Sequence, residues 1–481
     1  MASLKANALY NSFYQAIRII FPLITYPYVA RIIGPEGIGK VTYAYTYASY
    51  FYNFALAGIP YFALREISKV RDNKIVLSKK YSQFIIISTL LALFSAFAYM
   101  LSEFFIPTVV PERILFKLFF INVISEWMQI DWFYQGVENY RYITIRNILI
   151  RLISIIFTFI LINKKEDYIY YAILMIVTSL ISGILNIIYS LKITKFSYNL
   201  ECFSDNFKGI FTSFFIVHSG IILNSIDVIM LGNLVNDQKQ SVGLYNAAFR
   251  LLKIIISIIG SITVVLTPRL SYLFSKQEEK KILDILNKNV NISLFISIPA
   301  LILLFYFSKD IISIFFGNKF INSIETLKIL SFDILFLSLI GILSQILYAK
   351  HKDKIFIVIN IIISIFGILS NLIFIPIYKH DGAALATIIT RLLYLMILVW
   401  INYDYIKKFS DIKEIFKITL ANLSALLVII IIRDLKTNII ILITIYGICY
   451  LIISYNTKIK IFLYLCEWIK NKYLSLIRKM K

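Results

Sequence analysis

The chain has 481 residues, of which 59% are hydrophobic and 16% charged, and its formal net charge is +22. The apolar residues would fill about 14 segments of roughly 20 residues, the length that crosses a bilayer. Soluble proteins carry roughly 25% charged residues, so the composition excludes a soluble multidomain enzyme, and it also excludes disorder and fibrous repeats. The three cysteines and three histidines are scattered, so neither a disulfide framework nor a metal or other cofactor is expected.

Apolar segments recur along the whole chain with short polar breaks between them. The predicted spans cover residues 9–33, 41–64, 82–106, 114–134, 144–162, 168–191, 209–231, 242–266, 290–308, 327–349, 355–377, 383–402, 415–432 and 438–456. Kinks are expected at Pro22, Pro27 and Pro60, which interrupt the first two spans. The sequence therefore predicts an all-α integral membrane protein with about 14 transmembrane helices.

The distribution of Lys and Arg predicts the orientation of these spans. Of the 49 basic residues, 31 fall on the side of the two termini, 12 on the opposite side and six within spans. Because basic loops stay in the cytoplasm, both termini are predicted to be cytoplasmic. The net positive charge then faces anionic lipid rather than nucleic acid, since no soluble basic domain is present to bind the latter.

A weak internal repeat relates the two halves of the chain at a distance of roughly 200 residues. The matching positions are Ile33, Gly34, Gly39, Ala44 and Pro60 in the first half and Leu231, Gly232, Gly243, Ala248 and Pro268 in the second. A parallel repeat of this kind predicts two pseudo-symmetric halves of seven helices around a central cavity. The expected divisions are an N-terminal lobe at 1–208, a second lobe at 209–402, and two last spans with a basic tail at 403–481.

Six basic residues lie within the predicted spans, at a cost of roughly 2.5–3.5 kcal/mol for each one that is central. They are Arg18, Arg31, Arg151, Arg250, Lys253 and Arg391. Arg31 and Arg151, near span ends, and Arg391, at intermediate depth, fit interface anchors or helix–helix ion pairs as well as a functional role. The deeper three, Arg18, Arg250 and Lys253, favour a functional role.

Polar side chains on spans one, two, seven and eight predict a wet cavity with net positive charge. One face of span eight carries Asn246, Arg250, Lys253, Ser257 and Ser261, and one face of span two carries Thr42, Thr46, Ser49 and Asn53. Helix–helix hydrogen bonds explain the hydroxyl groups but not two neighbouring cations that repel each other. An anionic ligand such as a phosphate would relieve that repulsion, and Asp227 is the alternative neutralising partner.

These patterns indicate two sets of candidate functional residues. The predicted ligand-binding residues are Arg250, Lys253, Arg18, Arg31, Asn246 and Asn53. Depth in the membrane alone nominates Asp227 and Glu126 for coupling or gating. No nucleophile or acid–base pair stands out, and no loop is long enough to hold a catalytic domain.

Two motifs resemble known transporters. The segment from Asp131 to Glu138 reads DWFYQGVE and resembles the W-F-x-Q-G-x-E signature of bacterial polysaccharide flippases of the Wzx type. The segment from Ile375 to Thr387 reads IPIYKHDGAALAT and resembles a stretch of the wider multidrug/oligosaccharidyl-lipid/polysaccharide exporter superfamily. Lys379 or His380 replaces the first glycine of that stretch. The similarity extends over nearly the whole chain.

The resemblance implies a MATE/MurJ-like transporter of the bacterial cytoplasmic membrane that works by alternating access. Its substrate would be an undecaprenyl-diphosphate-linked oligosaccharide repeat unit, of O-antigen or a similar polysaccharide, carried from the inner to the outer leaflet. Arg250 stands at the position linked to the diphosphate in the related lipid II flippases. The polymerase and chain-length proteins of the same pathway are the expected protein partners, and neither covalent chemistry nor a cofactor is implied.

Two other functions are compatible with parts of the sequence. A cation-coupled multidrug or small-molecule exporter of the same superfamily would use intramembrane carboxylates, for which Asp227 and Asp333 are candidates. The first span, however, has no Asp or Glu, and basic residues dominate the cavity helices. An O-antigen polymerase or membrane glycosyltransferase would need a large outer loop with catalytic groups, and the predicted spans leave no room for one.

Overall fold

The computed structural model describes residues 4–56, 58–105, 112–197, 209–210, 213–214, 226–264, 266–408, 411–433, 438–464 and 466–467. Within these ranges the structure describes only the backbone of residues 4–20, 105, 261–264 and 267. The described part is helical and contains no β-strand.

The helices follow one another along the chain with short connections. They are α1 (Leu4–Leu56), α2 (Ile59–Val70), α3 (Lys74–Phe105), α4 (Arg113–Ser125), α5 (Asp131–Gly136), α6 (Tyr140–Leu161), α7 (Tyr168–Ile193), α8 (226–234), α9 (Gln240–Val264), α10 (Thr267–Ser275), α11 (Glu279–Tyr306), α12 (Ser308–Phe316), α13 (Ser323–Ala349), α14 (Asp353–Ile401), α15 (Tyr403–Lys407), α16 (Ile412–Arg433) and α17 (Ile439–Asn456). Short 3₁₀ turns lie at Glu126–Met128, Lys165–Asp167 and Asn318–Phe320.

In the described part of the chain, nine helices are long and apolar enough to cross a membrane. Most carry large apolar side chains around their whole circumference, a pattern typical of helices in lipid. With 49 residues, α14 would extend about 74 Å if straight, more than twice the roughly 30 Å hydrocarbon thickness. Its helical backbone breaks at Lys379 (φ 53°, ψ −125°), and α1 breaks in the same way at Gly34 (φ 79°, ψ 176°).

These breaks lie between predicted spans, so α1 holds span one and most of span two, whose last residues 59–64 lie in α2, and α14 holds spans eleven and twelve. The predicted span 114–134 is less regular than the hydropathy suggests. It consists of α4, the 3₁₀ turn Glu126–Met128 and the short helix α5. Most of the predicted span 209–231 lies outside the described residues.

The chain divides into two compact units. The first comprises Met1–Asn246, Phe315–Phe320 and Asn371–Ala383. A hydrophobic core lies where α2, α3 and α5 pack together, with Ile67, Phe84 and Phe133 fully buried. The lobes predicted from the repeat remain a prediction, because these units follow compactness and not sequence repetition.

The second unit comprises Ala247–Ile314, Ile321–Ser370 and Ala384–Lys481. Its core forms where α10, α11 and α13 meet, with Leu270, Ile282 and Ile346 buried.

Candidate functional site

Two glycines allow α1 and the start of α9 to approach each other at backbone distance. A Cβ atom added at Gly39 would lie 1.8 Å from the carbonyl oxygen of Lys239, and one added at Gly243 would lie 1.8 Å from that of Pro35. Gly39 and Gly243 are matching positions of the predicted repeat, and each faces the residue four positions before the other glycine, so the contact is reciprocal.

The first polar positions of the two predicted stripes meet beside these glycines. The Nδ2 atom of Asn246 donates hydrogen bonds to Thr42 Oγ1 at 2.9 Å and to Tyr26 Oη at 3.1 Å. A half-buried amide whose two donors are both satisfied restricts the rotation of α9 about its own axis. The predicted ligand residue Asn246 thus has a structural role in this conformation.

Arg250 and Lys253 follow Asn246 on the same face of α9, one turn and about two turns further along the helix. The side chain of Arg250 is half-buried and that of Lys253 is exposed. Side chains three positions apart on a helix are neighbours, so these two cations face the same region. This arrangement can bind a multivalent anion such as a diphosphate.

Asp227 on α8 is a buried carboxylate held by neutral donors. Its Oδ2 atom accepts a hydrogen bond from Tyr245 Oη at 3.0 Å, and its Oδ1 atom accepts one from Asn371 Nδ2 at 2.6 Å. Only 8% of its surface is exposed. A buried carboxylate within an apolar helix is a candidate functional group.

The other nominated residues lie in varied surroundings. Arg31 is exposed at the end of the first half of α1, where its Nε atom donates to the carbonyl oxygen of Phe315 at 3.3 Å. Asn53 is half-buried on α1, and Glu126 is half-buried at the start of its 3₁₀ turn. Arg18 belongs to α1, but its side chain lies outside the described residues.

An ion pair buried in the second unit joins two residues that the sequence analysis considered separately. Arg391 on α14 lies 3.3 Å from the Oδ1 atom of Asp333 on α13. The Asp333 side chain is fully buried and that of Arg391 is 6% exposed. This arrangement agrees with the interpretation of Arg391 as a helix–helix ion pair.

The segment from Asp131 to Glu138, which resembles the flippase signature, is joined to neighbouring helices of the first unit by polar contacts. Arg146 is buried, pairs with Asp131 at 2.8 Å and also donates to the amide oxygen of Asn186. The guanidinium group lies over the ring of Tyr142, which stacks on Tyr189 with centroids 3.9 Å apart. The polar groups of the motif thus join α5, α6 and α7, which indicates a structural role.

A charged network, which the sequence did not reveal, lies at the turn around residue 36. Lys40 pairs with Glu36 at 3.0 Å and with Glu112 at 3.1 Å, and Lys165 pairs with Glu36 at 3.2 Å. Burial raises the pKa of Glu36, but the hydrogen bonds and charges of Lys40 and Lys165 outweigh burial and leave this pKa below its ordinary value of 4.5. The network ties α1 to residues before α4 and before α7.

Comparison with known proteins supplies the context for this geometry. The model of a family described as polysaccharide biosynthesis protein matches residues 4–274, and the MatE family model matches residues 211–373. The "Putative O-antigen transporter" of Escherichia coli (strain K12) is 25% identical over 404 residues, covering 81% of this chain and 94% of that protein. The capsular polysaccharide biosynthesis protein CapF of Staphylococcus aureus is 26% identical over 398 residues, covering 79% and 93%.

Among solved structures, the lipid II flippase MurJ in an inward closed conformation is similar to this chain with a TM-score of 0.66 at 21% identity. The similarity covers 87% of this chain and 96% of that chain. It confirms the predicted fold class, an all-α membrane protein of the MATE/MurJ type.

Proposed function

The chain belongs to the family of polysaccharide biosynthesis proteins, and from this membership we propose that it is a flippase for lipid-linked oligosaccharides. The family resemblance found in the sequence is confirmed, and the families and neighbours it matches are transporters rather than enzymes. The proposed substrate is an undecaprenyl-diphosphate-linked repeat unit of O-antigen or a similar surface polysaccharide. The proposed location is the cytoplasmic membrane, with both termini in the cytoplasm.

One observation carries the substrate proposal, namely the placement of Arg250 and Lys253 on one face of α9. Two adjacent cations on one face of a helix form a positively charged patch that attracts an anionic group. A diphosphate suits them, because the guanidinium group of Arg250 can donate two parallel hydrogen bonds and the ammonium group of Lys253 adds a second positive charge.

The proposed mechanism is alternating access without covalent chemistry. The diphosphate and sugars enter the predicted cavity from the cytoplasmic side, and the polyprenyl tail stays in lipid, because its transfer out of hydrocarbon would be costly at about 0.8 kcal/mol per CH₂ group. The close contact of Gly39 with Gly243 gives the two repeats a point about which they can rock. The cavity then opens to the outer leaflet and releases the substrate.

Asp227 is the proposed coupling residue, with Glu126 as the second candidate. A buried carboxylate held by Tyr245 and Asn371 changes its contacts when it is protonated, because its accepting oxygen becomes a donor. If this change drives transport, neutralising Asp227 and Glu126 together removes the pH dependence of transport. Retention of that dependence in Asp227→Asn/Glu126→Gln would exclude both residues from coupling.

The test is genetic deletion in the native host followed by complementation. Deletion should abolish surface polymer and trap lipid-linked repeat units on the inner leaflet. Arg250→Ala should lower export about 10- to 100-fold, since a lost hydrogen bond to a charged group costs about 1.5–3 kcal/mol. Arg250→Lys should restore export in part, because a lysine cannot make the bidentate contact.

Arg65 provides a matched control for Arg250, because it is an exposed arginine on α2 outside the proposed site. Arg65→Ala changes the net charge equally and should complement fully. Wild-type export by Arg250→Ala, with normal insertion, would contradict the substrate proposal.

A second candidate is a cation-coupled exporter of small molecules. The buried carboxylate of Asp227 and the match of the MatE model to residues 211–373 favour it. Under this alternative, deletion leaves surface polymer unchanged and makes the host sensitive to cationic drugs.

A further inference from the structure

An apolar groove lies in the second unit, between α11, α13, the last part of α14 and α15. Its lining residues are Leu283, Leu286, Val290, Leu339, Ile342, Leu343, Ile346, Leu395, Val399, Tyr405 and Ile406. Such a lining offers water almost no hydrogen-bond partners, so in a bilayer the groove fills with hydrocarbon.

The length of the groove suits a chain confined to one leaflet. It follows α11 from Leu283 to Val290 and α13 from Leu339 to Ile346. Seven residues of helix rise about 10 Å, and one leaflet contributes roughly 15 Å of hydrocarbon. The groove thus holds much of one acyl chain but only a small part of a polyprenyl chain several times longer.

Basic residues cluster at one end of the groove. The ammonium group of Lys350 lies 4.2 Å from the ring centroid of Tyr405, which lines the groove, and 5.4 Å from that of Phe274. Three exposed lysines lie close to Lys350 or Tyr405 in sequence, namely Lys352, Lys354 and Lys407. Among the described residues, none of these four lysines forms an ion pair with a carboxylate, unlike the adjacent Lys408, which pairs with Glu279.

We propose that this groove is a binding site for an anionic phospholipid, with one acyl chain between α11, α13 and α14 and the phosphate beside Lys350. The unpaired ammonium groups attract a phosphate at the depth where a headgroup lies, and the apolar walls accept the chain below it. The proposal does not depend on the transported substrate. By the distribution of basic loops, the site faces the cytoplasmic leaflet.

The test is lipid binding to the purified full-length chain in detergent micelles, followed by native mass spectrometry. Dioleoyl phosphatidylglycerol and dioleoyl phosphatidylcholine have the same chains and differ in headgroup charge. The wild type should bind the phosphatidylglycerol more tightly. Lys350→Gln should weaken that binding about fivefold, since one lysine near an anionic lipid surface contributes about 1 kcal/mol, while phosphatidylcholine binding should not change.

Leu343→Trp tests the groove itself, because the indole fills the space of the chain. It should abolish the tight phosphatidylglycerol site. Two controls leave the site intact: Leu369→Trp, on an exposed face of α14, and Lys309→Gln, an exposed lysine outside the groove. If Lys350→Gln fails to fold, the double variant Lys352→Gln/Lys354→Gln provides the charge test.

Equal affinity of the wild type for the two lipids would overturn the proposal, and so would unchanged binding by Leu343→Trp. A polyprenyl phosphate that competes with phosphatidylglycerol and is lost in Leu343→Trp would identify a substrate-tail site instead and would also overturn it.

Discussion

The buried pair of Asp333 and Arg391 makes a strong prediction about stability. At 3.3 Å and an effective dielectric constant of about 20, the attraction between the two charges is about 5 kcal/mol. Desolvation of both ions offsets most of it, so the pair as a whole contributes little compared with apolar side chains of the same size. Removing one partner is different, because the other charge stays buried without its counter-ion.

We therefore expect Asp333→Asn and Arg391→Gln each to lower the free energy of unfolding by about 3–5 kcal/mol. The double variant should lose much less than the sum of the two single losses. The measurement is denaturant unfolding of the full-length protein in detergent micelles, followed through its helical signal. All four proteins of the cycle are measured under the same conditions.

The exposed pair of Glu325 and Lys328 supplies the control cycle. These residues lie on one face of α13 at 2.6 Å, with 62% and 33% of their side chains exposed. Their coupling energy should be at most about 0.5 kcal/mol. Losses below about 1 kcal/mol in both single variants at 333 and 391, or additive losses in the double variant, would refute the reasoning about the buried pair.

Two further predictions concern the first unit. Gly243→Ala should destabilise the protein by about 1–3 kcal/mol, because its methyl group would clash with the carbonyl oxygen of Pro35. The control Gly260→Ala meets no atom within 4 Å and should be neutral or stabilising. Equal effects of the two variants in unfolding assays would disprove the close contact. The charged Glu36 stabilises the fold fully above its ordinary pKa of 4.5, and this contribution is lost as the pH falls through its lowered folded-state pKa. The melting temperature of Glu36→Gln should therefore decline less in acid than that of the wild type. If the melting temperatures of the wild type and Glu36→Gln fall equally with pH, Lys40 does not stabilise that carboxylate.

Much of the fold could be predicted, because lipid imposes a simple rule on the sequence. A spanning helix needs about 20 apolar residues, and that pattern is local. The breaks at Gly34 and Lys379 fell between predicted spans for the same reason. The irregular region at Glu126–Met128 was not predicted, because the apolar residues on either side outweigh the polar ones between them in a span-length segment, and tertiary packing decides the backbone there.

The candidate site could also be predicted only in part from local sequence patterns. Arg250 and Lys253 stand out locally, since charge within an apolar helix is visible in the sequence. The contact between Asp227 and Asn371 does not stand out, because the two residues are 144 positions apart and an asparagine in an apolar segment has many possible roles. Likewise, Asp333 and Arg391 were each conspicuous, but only the packing of α13 against α14 pairs them.

The central claim is that this chain moves a lipid-linked oligosaccharide across a bilayer. The most direct measurement uses the purified protein in liposomes that contain an undecaprenyl-diphosphate-linked oligosaccharide in the leaflet on one side. The sugar exposed on the other side is followed with a membrane-impermeant lectin. Transfer should require the protein, Arg250→Ala should lower it about 10- to 100-fold, and Arg65→Ala should leave it unchanged. Transfer no faster than in protein-free liposomes, together with uptake of a cationic dye by the same preparation, would contradict the central claim.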